Sequence, residues 1–353
     1  MKIGTIGPRE EYSSNYYYIG KILSKQFDLD LISYYGKDTR LTKTYKIKNY
    51  SKLSAKGELT YFIRDILNLY KYCRRQRPDI LCSLQRPDVQ GPLIGFFGKL
   101  FGIKTLVRLS GSGFENYKLK KGFKKILTYF VCHWFMRMIL GSDRIICMNS
   151  KQKAELIRYG YDPKKIEIVL QPTDMQLYQP TKNKNQLRKK LGLNPKYKYI
   201  IYIGALEKYK GMDTFVNIIP QVIKHNKNIH FIFIGTDCES YNEKLMQVGG
   251  KNVHLLGQLP PAKTTYYLRA SDLLLHPSLT DGFPRTISEA AHSNIPVIAR
   301  DIVDLKKFAS KTFQTDPELI KYILKEKWSS WKLPARLDQS KLAKQYLKQF
   351  QTL

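Results

Sequence analysis

Two rhythms alternate along the chain. Short runs of β-branched and aliphatic residues predict strands at Lys2–Ile6, Leu29–Tyr34, Ile80–Leu84, Thr105–Leu109, Arg144–Met148 and Ile166–Leu170. Longer stretches with apolar residues on one helical face predict helices between them, over Asn15–Gln26, Leu59–Arg75, Pro92–Phe101 and Phe123–Leu140. Arg77-Pro78-Asp79 stops one of these, and Ser150 is placed as the cap of another that ends at Gly160. The rhythm restarts in the second half, with strands predicted at Tyr199–Ile203, His230–Ile234, Val253–Leu256, Leu273–His276 and Pro296–Ala299. Strands separated by helices imply parallel sheets covered on both faces, an α/β fold.

A length of 353 residues suits two such domains better than one. The polar stretch from Gln179 to Lys198 is rich in lysine, and the interdomain linker is placed at its start. The expected domains are 1–178 and 179–334, with a C-terminal amphipathic helix, 335–353, packing back on the first. Ligands of doubly wound sheets bind beyond the carboxyl ends of the strands, so the loops after Ile6, Leu109, Ile203, Ile234, Leu256 and His276 hold the candidate chemistry.

The five cysteines form no CxxC pair, which argues against a zinc site or a disulfide framework. Cys82 and Cys147 lie in apolar runs and read as small core residues. The apolar stretch Ile126 to Leu140 is too short for a membrane span and carries His133 and Arg137. With the chain opening MKIGTIG straight into a strand, no signal peptide is expected and a cytoplasmic protein is. Net charge is +31, with +17 in residues 1–180 and +14 in the remainder. Such a field attracts nucleic acid, anionic lipid or phosphorylated substrates, and a lysine-rich codon bias produces it equally well. No basic-aromatic recognition motif points to a specific nucleic acid.

Two segments carry chemistry. In Ile203 to Gly211, IGALEKYKG, a strand ends at Gly204 and Lys210-Gly211 opens a helix, where a lysine can lie against a diphosphate. In Pro277 to Arg300, a strand ends, a loop holds Asp281, Gly282 and Phe283, and a helix starts near Pro284. The backbone N–H groups of Phe283, Arg285 and Thr286 face whatever docks there, with Asp281 and Glu289 on either side to accept hydroxyl hydrogen bonds. On spacing alone, Asp281 reads equally as a helix cap and Glu289 as a solvated helix residue.

The second segment resembles the signature of family-four glycosyltransferases, the glycosyl transferases group 1 with the GT-B fold of two Rossmann-like domains facing each other across a cleft. The resemblance lies in Asp281, Glu289-Ala290-Ala291 and Ile295-Pro296-Val297-Ile298-Ala299. Other landmarks follow in order: Gly141 to Ile146, Lys165 to Pro180, Gly204 with Ala205 and Lys210-Gly211, Phe233-Ile234-Gly235, Leu255-Leu256-Gly257-Gln258, Ala270 to Ser278 and Asp316 to Leu319. The resemblance implies an N-terminal acceptor domain and a C-terminal nucleotide-sugar domain. It implies that Asp281 contacts sugar hydroxyls, Glu289 holds the ribose and Lys210 neutralises the diphosphate of a UDP- or GDP-linked hexose. The reaction it implies is retaining and needs no metal or cofactor. The donor site is expected to comprise Gly204, Ala205, Lys210, Gly235, Gly257, Gln258, Asp281, Gly282, Phe283, Pro284, Arg285, Thr286 and Glu289.

The chain departs from the family in places. Ala205 stands where the family has an arginine, a charge that Arg285 is positioned to supply, and Ser110 stands where many members have a histidine. Ser110, Ser112 and Arg108, with Ser13 and Ser14 in the first loop, are the acceptor-side candidates. Lys118 to Leu140 combines lysines with Phe130, Trp134 and Phe135, which suits an anionic membrane surface as well as a half-buried helix. The expected function is transfer of a hexose to a glycan or lipid-linked acceptor in cell-surface polysaccharide, lipopolysaccharide or glycolipid synthesis, at the inner face of the cytoplasmic membrane. The alternative is a catalytically degenerate sugar-nucleotide- or glycan-binding protein, which Ala205 and Ser110 favour.

Overall fold

The structure is a computed structural model. It describes all residues except 9–13, 52, 54–56, 86–89, 110–121, 123–124, 127–128, 130–140, 303, 327, 329–333 and 335–336, with backbone only for Ser14, Asn15 and Glu58.

The chain forms two compact units, Met1–Pro172 with Gln339–Leu353, and Thr173–Asp338. The first holds β1 (Lys2–Ile6), β2 (Asp28–Ile32), β3 (Lys46–Lys48), β4 (Ile80–Ser83), β5 (Lys104–Arg108), β6 (Arg144–Cys147) and β7 (Ile166–Ile168). They pair in parallel in the order β3-β2-β1-β4-β5-β6-β7. The second holds β8 (Lys198–Ile203), β9 (Ile229–Ile234), β10 (Val253–Leu255), β11 (Leu273–His276), β12 (Val297–Arg300) and β13 (Lys311–Phe313), all parallel in the order β10-β9-β8-β11-β12-β13.

Burial explains why these segments are strands. Every residue of β9 is buried, because helices cover both faces of a parallel sheet. Helix Met212–His225 turns Met212, Phe215, Ile218, Ile219 and Val222 inward at helical spacing. Phe215 meets Phe233 edge-on with ring centroids 4.8 Å apart, and Tyr202 and Phe231 complete its surroundings. Fully burying such a side chain contributes about 1.5–3 kcal/mol. Burial also pushes the Cys73, Cys82 and Cys147 thiols up to about 12, so they are inert core residues.

Several elements differ from expectation. The strands β3 and β13 are short, lysine-bearing edges that need only one apolar face, so hydrophobic pattern does not reveal them. Asn149, not Ser150, caps its helix, accepting the Gln152 N–H at 2.8 Å. The expected linker contains helix Lys184–Lys190. Its Arg188 is buried, 2.6 Å from Asp272 and 2.9 Å from the Ala270 carbonyl, over the Tyr199 ring. The boundary falls at Pro172/Thr173 rather than after residue 178. Thr173 donates to the Ser288 hydroxyl at 2.7 Å, and the Tyr178 carbonyl accepts from Ser293, so this segment packs with the second unit.

Helix Gln339–Gln351 belongs to the first unit. Leu342, Tyr346, Gln349 and Phe350 form its buried stripe. Arg144 donates to Gln349 at 2.8 Å, and Phe350 meets Phe27.

At the edge of the second sheet, His230 and His254 hydrogen-bond ring to ring at 3.0 Å, with Tyr197 stacked on His230 at 4.2 Å. Burial, then the facing His254 and the Lys251 charge, push His230 down to about 4; burial also lowers His254. Such a histidine costs nothing above its unfolded pKa of about 6.5 and destabilises as pH falls towards its folded value. Chemical denaturation of the protein is expected to lose stability between about pH 6.5 and pH 4. His230→Phe flattens that slope; an equal slope in the variant contradicts the assignment.

Candidate functional site

The order of the second sheet reverses between β8 and β11, whose connections run to opposite sides. A crevice opens beyond the carboxyl ends at such a point. Here it is a cavity of about 240 Å³.

Backbone forms much of its floor. The Gly204 N–H donates to the Ile234 carbonyl and the Gly235 N–H to the Gly257 carbonyl, both at 2.9 Å. A Cβ on Gly235 would stand 1.8 Å from the Gly204 carbonyl oxygen, so only glycine permits this approach. Ala205, Gln258, Arg285, Thr286 and Glu289 line the cavity with these glycines, together with Tyr178, Thr236 and Thr264.

Glu289 is 3 % exposed and accepts from Arg285 Nε at 2.9 Å. It is therefore a buried carboxylate at the cavity wall and not a solvated helix residue. Burial of a charge in this way needs partners, and Arg285 supplies one. Helix Arg285–His292 begins one residue after Pro284, which occupies the cap position without a side-chain cap.

Beside the cavity-lining loop after β8, Lys210 Nζ lies 3.0 Å from Asp281 Oδ2. The turn that places it is tight. Gly211 has φ +84°, and a Cβ there would meet the Pro277 carbonyl oxygen at 2.3 Å. The Leu279 N–H bonds the Tyr209 carbonyl at 2.9 Å, tying the two loops together. Asp281 also accepts its neighbour's Gly282 N–H at 2.9 Å, so it does not cap the helix. His276 Nε2, buried, stands 3.4 Å from Asp281 Oδ2, at the outer limit of a hydrogen bond. Burial raises the Asp281 pKa, but the His276 contact and the Lys210 ammonium outweigh it and hold the carboxyl well below the usual range. Asp281 is a fixed anion at every physiological pH.

Thirteen donor-site candidates thus fall into three settings. Gly204, Ala205, Gly235, Gln258, Arg285, Thr286 and Glu289 line the cavity. Lys210 and Asp281 form the adjoining ion pair. Gly257, Gly282, Phe283 and Pro284 shape loops; Phe283 is buried edge-on against Phe308 at 4.8 Å.

In the first unit, Arg108 corrects the expectation of a loop contact. It is fully buried, donating to the Leu84 carbonyl at 2.9 Å and the Tyr346 hydroxyl at 3.1 Å. Ser14 begins helix Ser14–Leu23, while Ser13, Ser110 and Ser112 lie outside the described residues, as does most of Lys118 to Leu140. The sequence reading overlooked His276 as anything but a strand end. Its signal was an ionisable residue closing an otherwise apolar strand directly before a loop with a carboxylate.

Residues 183–314 match the family model for Glycosyl transferases group 1. Over those residues, about a third of its length, the chain is similar to that family. It is 27 % identical over 252 residues to the Escherichia coli UDP-Gal:alpha-D-GlcNAc-diphosphoundecaprenol alpha-1,3-galactosyltransferase, covering 68 % of this chain and 62 % of the relative. It is 25 % identical over 174 residues to the D-inositol 3-phosphate glycosyltransferase of Segniliparus rotundus, covering 47 % and 38 %. The chain thus spans under two thirds of either relative. Anabaena HepE in complex with UDP-glucose superposes with a TM-score of 0.77 at 13 % identity, over 100 % of both chains. Two parallel Rossmann-like units, as in this structural neighbour, are the GT-B fold. The cavity and the Lys210–Asp281 pair both lie within the part of the chain that the family model matches, apart from Tyr178.

Gly235→Ala is expected to lower stability by about 1–3 kcal/mol, since the new methyl must displace backbone. Gly57→Ala, with nothing within 4 Å of its Cβ, serves as control. Matching thermal midpoints for the two variants would contradict the close-approach argument.

Proposed function

We propose that the protein is a retaining glycosyltransferase that takes a hexose-type sugar from a nucleotide-linked donor and needs no metal. The observation that carries this is the cavity at the β8/β11 reversal, where glycine backbone and a buried carboxylate meet a cationic loop. Backbone floors admit a nucleotide closely, and the carboxylate of Glu289 accepts ribose hydroxyls. Lys210 and Arg285 lie where charge builds on the departing diphosphate, Arg285 standing in for the cation that Ala205 lacks. Asp281, held anionic, accepts hydroxyls of the donor sugar. The acceptor attacks from the face the diphosphate leaves, and a diphosphate oxygen takes its proton, which retains configuration. Positioning and charge stabilisation account for the rate.

For the donor, UDP is favoured over GDP by the UDP-Gal-dependent relative and the UDP-glucose complex of the structural neighbour. For the acceptor, the diphosphoundecaprenol-linked substrate of the same relative supports a lipid-linked glycan, and with it a place in cell-surface synthesis at the cytoplasmic face. No helix among the described residues is long and apolar enough to cross a membrane, so contact with a lipid-linked acceptor is peripheral in this proposal.

Turnover measured across UDP-, GDP-, ADP- and TDP-sugars, with a chelator present, tests the proposal. One UDP-sugar is expected to be consumed selectively, and Glu289→Ala to reduce kcat/KM by roughly 100-fold or more. Binding of a donor with no turnover in any acceptor mixture would favour the degenerate binding protein instead.

A further inference from the structure

One helix of the first unit carries apolar side chains on its outer face as well as its inner one. In Glu58–Gln76, Arg64, Asp65 and Asn68 face inward with Leu69, Tyr72 and Cys73, while Leu59, Ile63, Leu67 and Tyr70 face solvent. An ordinary surface helix keeps its outer face polar. The inward Asp65 and Asn68 are hydrogen-bonded, and Arg64 packs on aromatic rings. Asp65 accepts from Ser33 at 2.5 Å, Asn68 accepts the Tyr50 and Ser51 N–H groups, and Arg64 stacks on Tyr35 and Tyr61. These contacts, with the core packing of Leu69, Tyr72 and Cys73, fix the helix rotation and keep Leu59, Ile63, Leu67 and Tyr70 outward.

The neighbouring helix Gln90–Phe101 extends the stripe. Tyr70 and Phe101 meet with ring centroids 5.9 Å apart, and Phe96 and Leu100 are exposed beyond them. Six large apolar side chains on the two helices are thus 40–71 % exposed, more than scattered surface residues explain. Lys71, Arg74, Arg75, Arg77 and Lys99 are exposed at the C-terminal ends of the same helices. Among the described residues neither helix exposes an acidic side chain.

We infer that this face docks on an anionic lipid bilayer. Apolar side chains entering the headgroup boundary beside a row of cations is the chemistry of a monotopic surface helix. A second copy of the chain is disfavoured as occupant, since it brings the same cations and a net charge of +31. The inference rests on the proposed function only in giving a lipid-linked acceptor a reason to be met there.

The test is flotation of the full chain with vesicles of phosphatidylglycerol and phosphatidylcholine, or of phosphatidylcholine alone. Two paired variants address the patch, Ile63→Ser with Leu67→Ser, and Arg74→Glu with Lys99→Glu. Lys224→Glu with Lys263→Glu, exposed in the second unit, controls for total charge. Anionic vesicles are expected to bind the wild type, and each patch pair to weaken binding roughly tenfold while the control stays close to wild type. UDP-sugar turnover in detergent and an unchanged thermal midpoint show that the variants fold. Wild-type binding unaltered by both patch pairs overturns this surface, as does no wild-type binding at low salt. Lipid-free self-association abolished by Ile63→Ser with Leu67→Ser would assign the face to a second copy and also overturn it. Vesicle binding without any donor turnover leaves the surface standing and sinks the proposed activity.

Discussion

The Pro277 carbonyl oxygen stands where a side chain on Gly211 would be, and the arrangement of the second unit's site depends on that contact. It brings the loop after β8 against the loop after β11, the two strands between which the sheet order reverses. With the loops tied by the Leu279–Tyr209 bond, Lys210 and Asp281 come together, and Lys210 with His276 holds the carboxylate charged against its burial. The Gly204–Gly235 approach does the same on the other side of β8, clearing side chains from the cavity floor. Both contacts are steric demands that only glycine meets, so the site is set by backbone before any charged group acts.

Much of this was legible in the sequence because parallel strands, buried on both faces, announce themselves as apolar runs. The reversal loops were legible because charged residues cluster in them, as at Lys210, Asp281 and Arg285. What stayed hidden had polar lettering and tertiary causes. Arg188 reads as one lysine-like residue in a basic linker, yet Asp272, distant in sequence, draws it inside. Glu289 could not be told from a solvated helix residue, because its burial depends on which face of an eight-residue helix meets the sheet. Arg108 sits at the end of β5, a position that suggests ligand contact, and is claimed instead by a helix from the far end of the chain.

In the second unit, Lys210 and Arg285 are the cations placed beside the cavity. The first uses buried polar groups to hold its own elements together: Arg108 to Tyr346, Tyr72 to Asp30, and Tyr16 to Gln90 near the ends of β1 and β4. Satisfying these groups inside leaves apolar residues of one helix to face outward.

The central claim is that a nucleotide-sugar binds the β8/β11 crevice of the second unit. Hydrogen–deuterium exchange with and without saturating UDP-sugar addresses it segment by segment. The account predicts slowed exchange over residues 203–211, 234–236 and 281–290, with helix 58–76 unchanged. Protection confined to the first unit, or none in these loops while the sugar is consumed, would contradict it.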